Sequence, residues 1–178
     1  MNTQVLVAYA TKHGATAEIA EKIGQALRQA GLSADVLPVE RVNDLTPYGA
    51  VVLGSAVYIG QWRKEAVKFL KANEPALAEK PLWLFSSGPT GEGDPVELTQ
   101  GWRLPGTLQP IADRIAPRDI AVFHGALHLD RLNFLEKWII NKVKAPAGDF
   151  RDWEAITSWA TDVAAALKEA GLAHGAST

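Results

Sequence analysis

Residues 4–23 read QVLVAYATKHGATAEIAEKI and change hydrophobic period halfway along. Val5, Leu6 and Val7 form a continuous apolar run, as in a strand buried on both faces, with Tyr9 and Ala10 closing it. From there Ile19, Ala20, Ile23 and Leu27 recur at helical spacing, which predicts a helix starting near Thr16. The link between them is a short polar turn, Thr11-Lys12-His13-Gly14-Ala15-Thr16. A strand that turns directly into a helix leaves the first helical N–H groups unpaired beside the positive end of the helix dipole, and such a terminus attracts anions. Thr11 and Thr16 add hydroxyls, and Gly14 permits a close backbone approach. Neither of the common nucleotide loops, GxxxxGK(S/T) and GxGxxG, is present here. The plainer alternative is a capped helix after a strand, with the threonines serving only as caps.

The rest of the chain repeats the alternation. The helix runs to about Ala30, with Gly31 as its stop. Residues 34–37 read as a second strand ended by Pro38, and residues 50–53 as a third. Residues 64–71 read as a helix, 81–85 as a fourth strand and 120–127 as a fifth. Leu108, Ile111, Ala112 and Ile115 suggest a helix with Pro110 in its first turn. Asp152 caps a last helix carrying Trp153, Ile156, Trp159, Ala160, Val163 and Leu167, which Gly171 ends. This alternation predicts an α/β protein with a parallel, doubly wound sheet; right-handed crossovers leave few topologies, and with the resemblance described below the expectation is a three-layer sandwich around five strands in the order 2-1-3-4-5. The expected organisation is one domain over 1–171, an inserted helical segment at about 130–148, and a frayed tail at 172–178.

Ligands of such sheets sit beyond the carboxyl ends of the strands. After the third strand come Gly54-Ser55-Ala56-Val57-Tyr58-Ile59-Gly60-Gln61-Trp62, with two aromatics that either face a ligand or pack the loop on the sheet. After the fourth comes the most turn-rich stretch, Ser86-Ser87-Gly88-Pro89-Thr90-Gly91-Glu92-Gly93-Asp94-Pro95, with Glu92 and Asp94 read as solvated charges. His124 and His128 would stand ~13 Å apart along one strand, too far to share a metal ion, so no metal site is expected.

Between 130 and 144, Leu132, Phe134, Leu135, Trp138, Ile139 and Val143 cover about half of a helical wheel, with Arg131, Lys137, Lys142 and Lys144 among them. The first expectation is a helix packed on the domain. The alternative is a helix that meets a membrane surface or a partner.

The chain has no cysteine, which excludes disulfides, thiolate metal sites and a cysteine nucleophile. A net charge of −2 supplies little long-range steering toward a charged partner, and no basic patch of the nucleic-acid-binding kind occurs. No leader pattern and no apolar run of ~18 residues is visible, so a cytoplasmic protein is expected, with contact at the inner membrane face if the 131–144 helix provides it.

The stretch from Val7 to Ile23 resembles the flavodoxin signature: an apolar pair, an aromatic, Ser or Thr, then a small residue, Thr, Ala and an aliphatic at fixed spacing. Here these are Val7, Ala8, Tyr9, Thr11, Gly14, Thr16, Ala20 and Ile23, and only Ala8 is smaller than usual. The resemblance implies a noncovalent FMN whose phosphate lies in the turn of Thr11, Lys12, His13, Gly14, Ala15 and Thr16. It implies a second loop of Ala56, Val57, Tyr58, Ile59 and Gly60, with Tyr58 stacked on the flavin, Trp62 as second choice and Gly60 near N5. It also implies a third loop of Ser87, Gly88, Pro89, Thr90 and Gly91 at the pyrimidine edge. That loop lacks an aromatic for the outer flavin face, which leaves the face open or covered by Trp102. The chemistry is then the flavin's, and no catalytic side chain is expected.

Gly125-Ala126-Leu127, the aromatic and lysine-bearing helix, the break at Pro146-Ala147-Gly148 and Asp152-Trp153 look like the flavodoxin-like protoporphyrinogen oxidases that pass electrons to menaquinone. The 86–94 loop does not match that branch. The reading is therefore an FMN-binding redox protein serving a partner protein or a quinone. A menaquinone-dependent protoporphyrinogen oxidase is the alternative, and a cofactor-free interaction module is the alternative of another class.

Overall fold

A computed structural model describes residues 4–171. Its strands are β1 (Gln4–Ala10), β2 (Ser33–Pro38), β3 (Tyr48–Tyr58), β4 (Gln61–Trp62), β5 (Leu82–Ser87), β6 (Asp119–Phe123), β7 (Ala126–Leu127) and β8 (Gly148–Asp149). Its α-helices are α1 (Ala15–Gln29), α2 (Lys64–Ala72), α3 (Glu74–Ala78), α4 (Pro95–Leu98), α5 (Gln109–Ile115), α6 (Phe134–Val143) and α7 (Trp153–Glu169). The five long strands lie parallel in the order β2-β1-β3-β5-β6. Counted among themselves, they follow the expected order 2-1-3-4-5.

Each strand serves two cores because side chains alternate across a pleated sheet. Val5, Val7, Val52, Phe85 and Phe123 face α1 and α7, where Ile19, Ile23, Leu27, Ile156 and Leu167 meet them. Leu6, Ala8, Val51, Leu53 and Leu84 face the other side, against Phe69 and Leu70 of α2, Leu77 of α3 and Ile111 of α5. Phe85 and Phe123, tilted against each other, both meet Trp159 edge to face in the first core, with Phe123 and Trp159 centroids 5.5 Å apart. The Trp159 indole donates to Asp119 at the sheet edge, 2.8 Å away.

Several expected boundaries move. The third strand continues through residues 54–58 instead of stopping at Leu53, because Gly54 to Ala56 still pair with β1 or β5 and Val57 and Tyr58 pair with β4. It then folds back on β4 through a two-residue turn, Ile59-Gly60, with φ of 51° and 69°. Two successive positive φ values are what a tight hairpin of right-twisted strands requires. The fifth long strand ends at Phe123, not Leu127. Beyond it the Gly125 backbone abuts Gly88, and the chain turns away so that Ala126 and Leu127 pair antiparallel with Asp149 and Gly148. That two-stranded clip closes the base of the inserted segment. α3 is an element the sequence reading did not contain. Asp94 is no idle loop charge: its carboxylate caps α4 by accepting from the N–H groups of Val96 and Glu97. The tail expected at 172–178 lies outside the described residues.

The largest difference is the orientation of α6. Phe134 is 88% exposed, Leu135 63% and Trp138 56%, whereas Glu136 is 3% exposed. The helix turns its carboxylate inward and its apolar half outward, so packing through the apolar half is not what holds it to the domain.

A candidate cofactor site at the carboxyl end of the sheet

The turn after β1 is built as a strand-to-helix corner. Gly14 sits in the left-handed region, φ 91°, and is the N-cap of α1. Its N–H donates to the Thr11 hydroxyl at 3.0 Å, so Thr11 closes the turn from within. Glu18 N–H reaches the Gly14 carbonyl at 3.2 Å, which leaves the N–H groups of Ala15, Thr16 and Ala17 without intrahelical acceptors. Thr16 is buried beneath them. Arg151 braces the corner from the far side. Its guanidinium, over the Trp153 ring, binds Asp149, Glu18 and the Ala15 carbonyl. The Arg151 hydrogen bond holds the Asp149 carboxyl below its ordinary range, against a smaller opposing effect of burial.

The turn opens on a cavity of about 140 Å³ at the carboxyl ends of β1, β3 and β5. From the anticipated residues it gathers Thr11, Lys12, His13, Ala15 and Thr16 of the turn, Ala56, Val57 and Tyr58 of the end of β3, and Ser87, Gly88 and Thr90 of the third loop. Ile59, Gly60, Pro89 and Gly91 do not line it, nor does Gly14, whose role is the cap. Ile59 is the exposed tip of the β3–β4 hairpin. Trp62 is 4% exposed in the second core, with its indole N–H on the Ser86 hydroxyl, so it is not placed to stack on a ligand. Trp102 does not line the cavity either.

The sequence reading missed the remaining walls. Gly125, Ala126 and Leu127 come from the segment after β6, and Leu132, Ile140 and Ala145 come from the insert. Arg63, at the start of α2, adds a cation whose Nε has no hydrogen-bond partner and lies 3.6 Å from Glu65 Oε2. Its position one residue beyond Trp62 was the available signal. Among the described residues no carboxylate lines the cavity, while Lys12, His13 and Arg63 do. His124 holds the third loop in place through the carbonyls of Pro89 and Gly93, 3.2 and 2.7 Å away.

Behind this wall stands Glu136. One oxygen is 2.5 Å from Lys12 Nζ and the other 2.8 Å from His13 Nε2, and Asn133 donates at 3.0 Å. Burial raises the carboxyl's pKa, but the hydrogen bonds and charges of Lys12 and His13 outweigh it and leave it below its ordinary range. Arg131 adds a contact to the His13 carbonyl at 3.2 Å. The Lys12 ammonium also lies 4.4 Å from the centroid of the Tyr58 ring.

A parallel sheet in this order, with an anion-attracting turn at the reversal point, defines the flavodoxin-like class of doubly wound proteins. The chain belongs to the flavodoxin-domain family, which matches residues 6–154. A protein of Escherichia coli K12 named protoporphyrinogen IX dehydrogenase (quinone) is 23% identical over 172 residues, covering 90% of this chain and 94% of that one. A Leishmania major protein of the same name is 26% identical over 173 residues, covering 90% and 74%. Among solved structures, an archaeal flavodoxin superposes with a TM-score of 0.61 at 14% identity, over 93% of this chain and 99% of its own. The rubredoxin:oxygen oxidoreductase of Desulfovibrio gigas superposes with a TM-score of 0.62 at 13% identity, over 94% of this chain and 36% of its own. Such low identities to the solved structures establish the fold alone.

Proposed function

We propose that the chain binds FMN noncovalently and acts as a redox protein. The observation that carries this reading is convergence: the α1 terminus with its free N–H groups, Thr16, Tyr58, Ser87, Gly88 and Thr90 meet around one cavity, with no carboxylate among the described residues of its wall. The donor set suits the group. A phosphate dianion is matched by a helix N-terminus with a nearby lysine and histidine, and a flat ring by Tyr58. When bound, the flavin would supply one- or two-electron transfer, while the side chains hold and orient it. The test is colour. Purified protein, or protein reconstituted with FMN and freed of excess, should show flavin absorbance near one equivalent. Its absence would leave the cofactor-free interaction module, in which Thr11 and Thr16 serve only the turn.

A second reading, an oxidase that hands electrons to a quinone, is favoured by α6. Phe134, Leu135 and Trp138 stand in solvent beside Lys137 and Lys142, a pairing suited to an anionic membrane surface where a quinone resides. The names of the Escherichia coli and Leishmania relatives point the same way. Among the described residues no helix is long and apolar enough to cross a membrane, so the contact would be peripheral. Turnover of protoporphyrinogen with a menaquinone analogue supports the oxidase. Its absence, with fast reduction by a flavodoxin reductase, supports a carrier that docks a redox partner protein.

A further inference from the structure

The cavity poses a problem of space. At about 140 Å³ it falls below the ~300 Å³ at which ligand pockets begin, and one wall is the insert, through Leu132, Ile140 and Ala145. The Lys12 ammonium lies over the face of Tyr58, the ring expected to carry a flat ligand. Lys12 is held there by Glu136, the buried residue of a helix whose Phe134, Leu135, Trp138 and Val143 face water. The polar contacts of α6 with the turn are therefore concentrated in one carboxylate bound to Lys12 and His13, with Arg131 on the His13 carbonyl beside it.

From these contacts we infer that Glu136 is a latch that couples occupation of the turn to the position of α6. The inference rests on the FMN reading above. A phosphate entering at the α1 terminus and the Glu136 carboxylate are both anions, and they compete for the Lys12 ammonium and for hydrogen bonding by His13. Binding of the phosphate ester draws Lys12 off Tyr58 and away from Glu136. The carboxylate, left with Asn133 but without its charged partner, is repelled by the incoming charge, and a buried carboxylate stripped of its ion pair is expensive. Helix α6 swings outward, which enlarges the cavity and moves the Phe134–Trp138 face. Linkage makes the effect reciprocal: docking of Glu136 weakens FMN binding by the same factor that FMN weakens docking, commonly ~5–150-fold for coupled sites.

The experiment is amide hydrogen exchange across 134–143 in the full chain, with and without saturating FMN, combined with FMN titrations of wild type, Glu136→Gln and Lys137→Gln. Expected results are faster exchange of α6 in the wild type on adding FMN, and about tenfold tighter FMN binding by Glu136→Gln. Exchange in α6 of Glu136→Gln should already be fast without FMN, while Lys137→Gln behaves as wild type. Slower or unchanged α6 exchange on FMN binding, or equal FMN affinities of wild type and Glu136→Gln, overturns the latch. Failure of wild type and both variants to bind FMN overturns the cofactor reading and the coupling with it. In that case an unchanged α6 exchange rate in Glu136→Gln would separately show that the carboxylate holds nothing.

Discussion

The indole N–H of Trp62 donates to the Ser86 hydroxyl at 2.8 Å, and that hydroxyl donates in turn to the Arg103 carbonyl at 2.9 Å. This chain of hydrogen bonds ties the β3–β4 hairpin to β5 and to the segment that leads into α5. It also takes Trp62 out of contention for the ligand. Trp62→Phe should keep the ring packing and leave the Ser86 oxygen short of a donor, at a cost of about 1–3 kcal/mol in urea unfolding. FMN affinity should not change. Tyr58→Leu should do the reverse, lowering FMN affinity with little loss of stability. Interchanged outcomes would reverse the two roles.

Gly54 lies in β3, opposite Phe85 of β5. A Cβ on residue 54 would stand 2.0 Å from the Phe85 ring, which is fully buried and cannot yield. Gly54→Ala should therefore destabilise at or above the upper end of the ~1–3 kcal/mol usual for overpacking. Pairing it with Phe85→Leu should recover part of the loss. A thermal unfolding series of the two single variants and the double variant measures this.

Tyr48 ionises late. Burial first, then the hydrogen bond and charge of Asp35, 2.8 Å away, push its phenol up to about 12 from an ordinary value near 10. A raised folded pKa means that the protonated phenol stabilises the fold fully below pH ~10 and that this contribution fades as pH rises through 12. In a titration of absorbance at 295 nm, one of the three tyrosines should ionise about two pH units after an ordinary phenol. Asp35→Asn should bring it back toward 10.

Phe134 and Trp138 are exposed apolar side chains on α6, with Lys142 Nζ 5.1 Å from the Trp138 ring. Replacing both by serine should change stability by no more than ~0.5 kcal/mol, since neither is buried in the domain. If α6 meets a lipid surface, co-sedimentation with anionic vesicles should drop to background in the double variant. Retained co-sedimentation would place the contact elsewhere.

The sequence alone determined the alternation of elements, which follows from local periods, while the sheet order was expected from right-handed crossovers and the flavodoxin resemblance. Val5–Val7 and Ala50–Leu53 are runs that only a doubly covered strand accommodates, and Ile19, Ile23 and Leu27 mark one helical face. The turn of Thr11 to Thr16 was legible for the same reason, since a strand, a glycine and a helix start lie within a few residues. Tertiary structure decided where α6 points and what else reaches the cavity. A helical wheel shows that one side of residues 134–143 is apolar, but not which side meets a partner. That choice fell to Lys12 and His13, 123 positions from Glu136 in the case of His13, whose ammonium and ring nitrogen offered a buried carboxylate more than they offered Phe134 or Trp138. The same holds for Trp62 and Arg63. Their neighbours in sequence are alike, yet the turn at Ile59-Gly60 sends one into the core and the other to the cavity wall. Alternation along a strand sets which side chains share a face, and only the packed neighbours on each side determine which face is core and which is site.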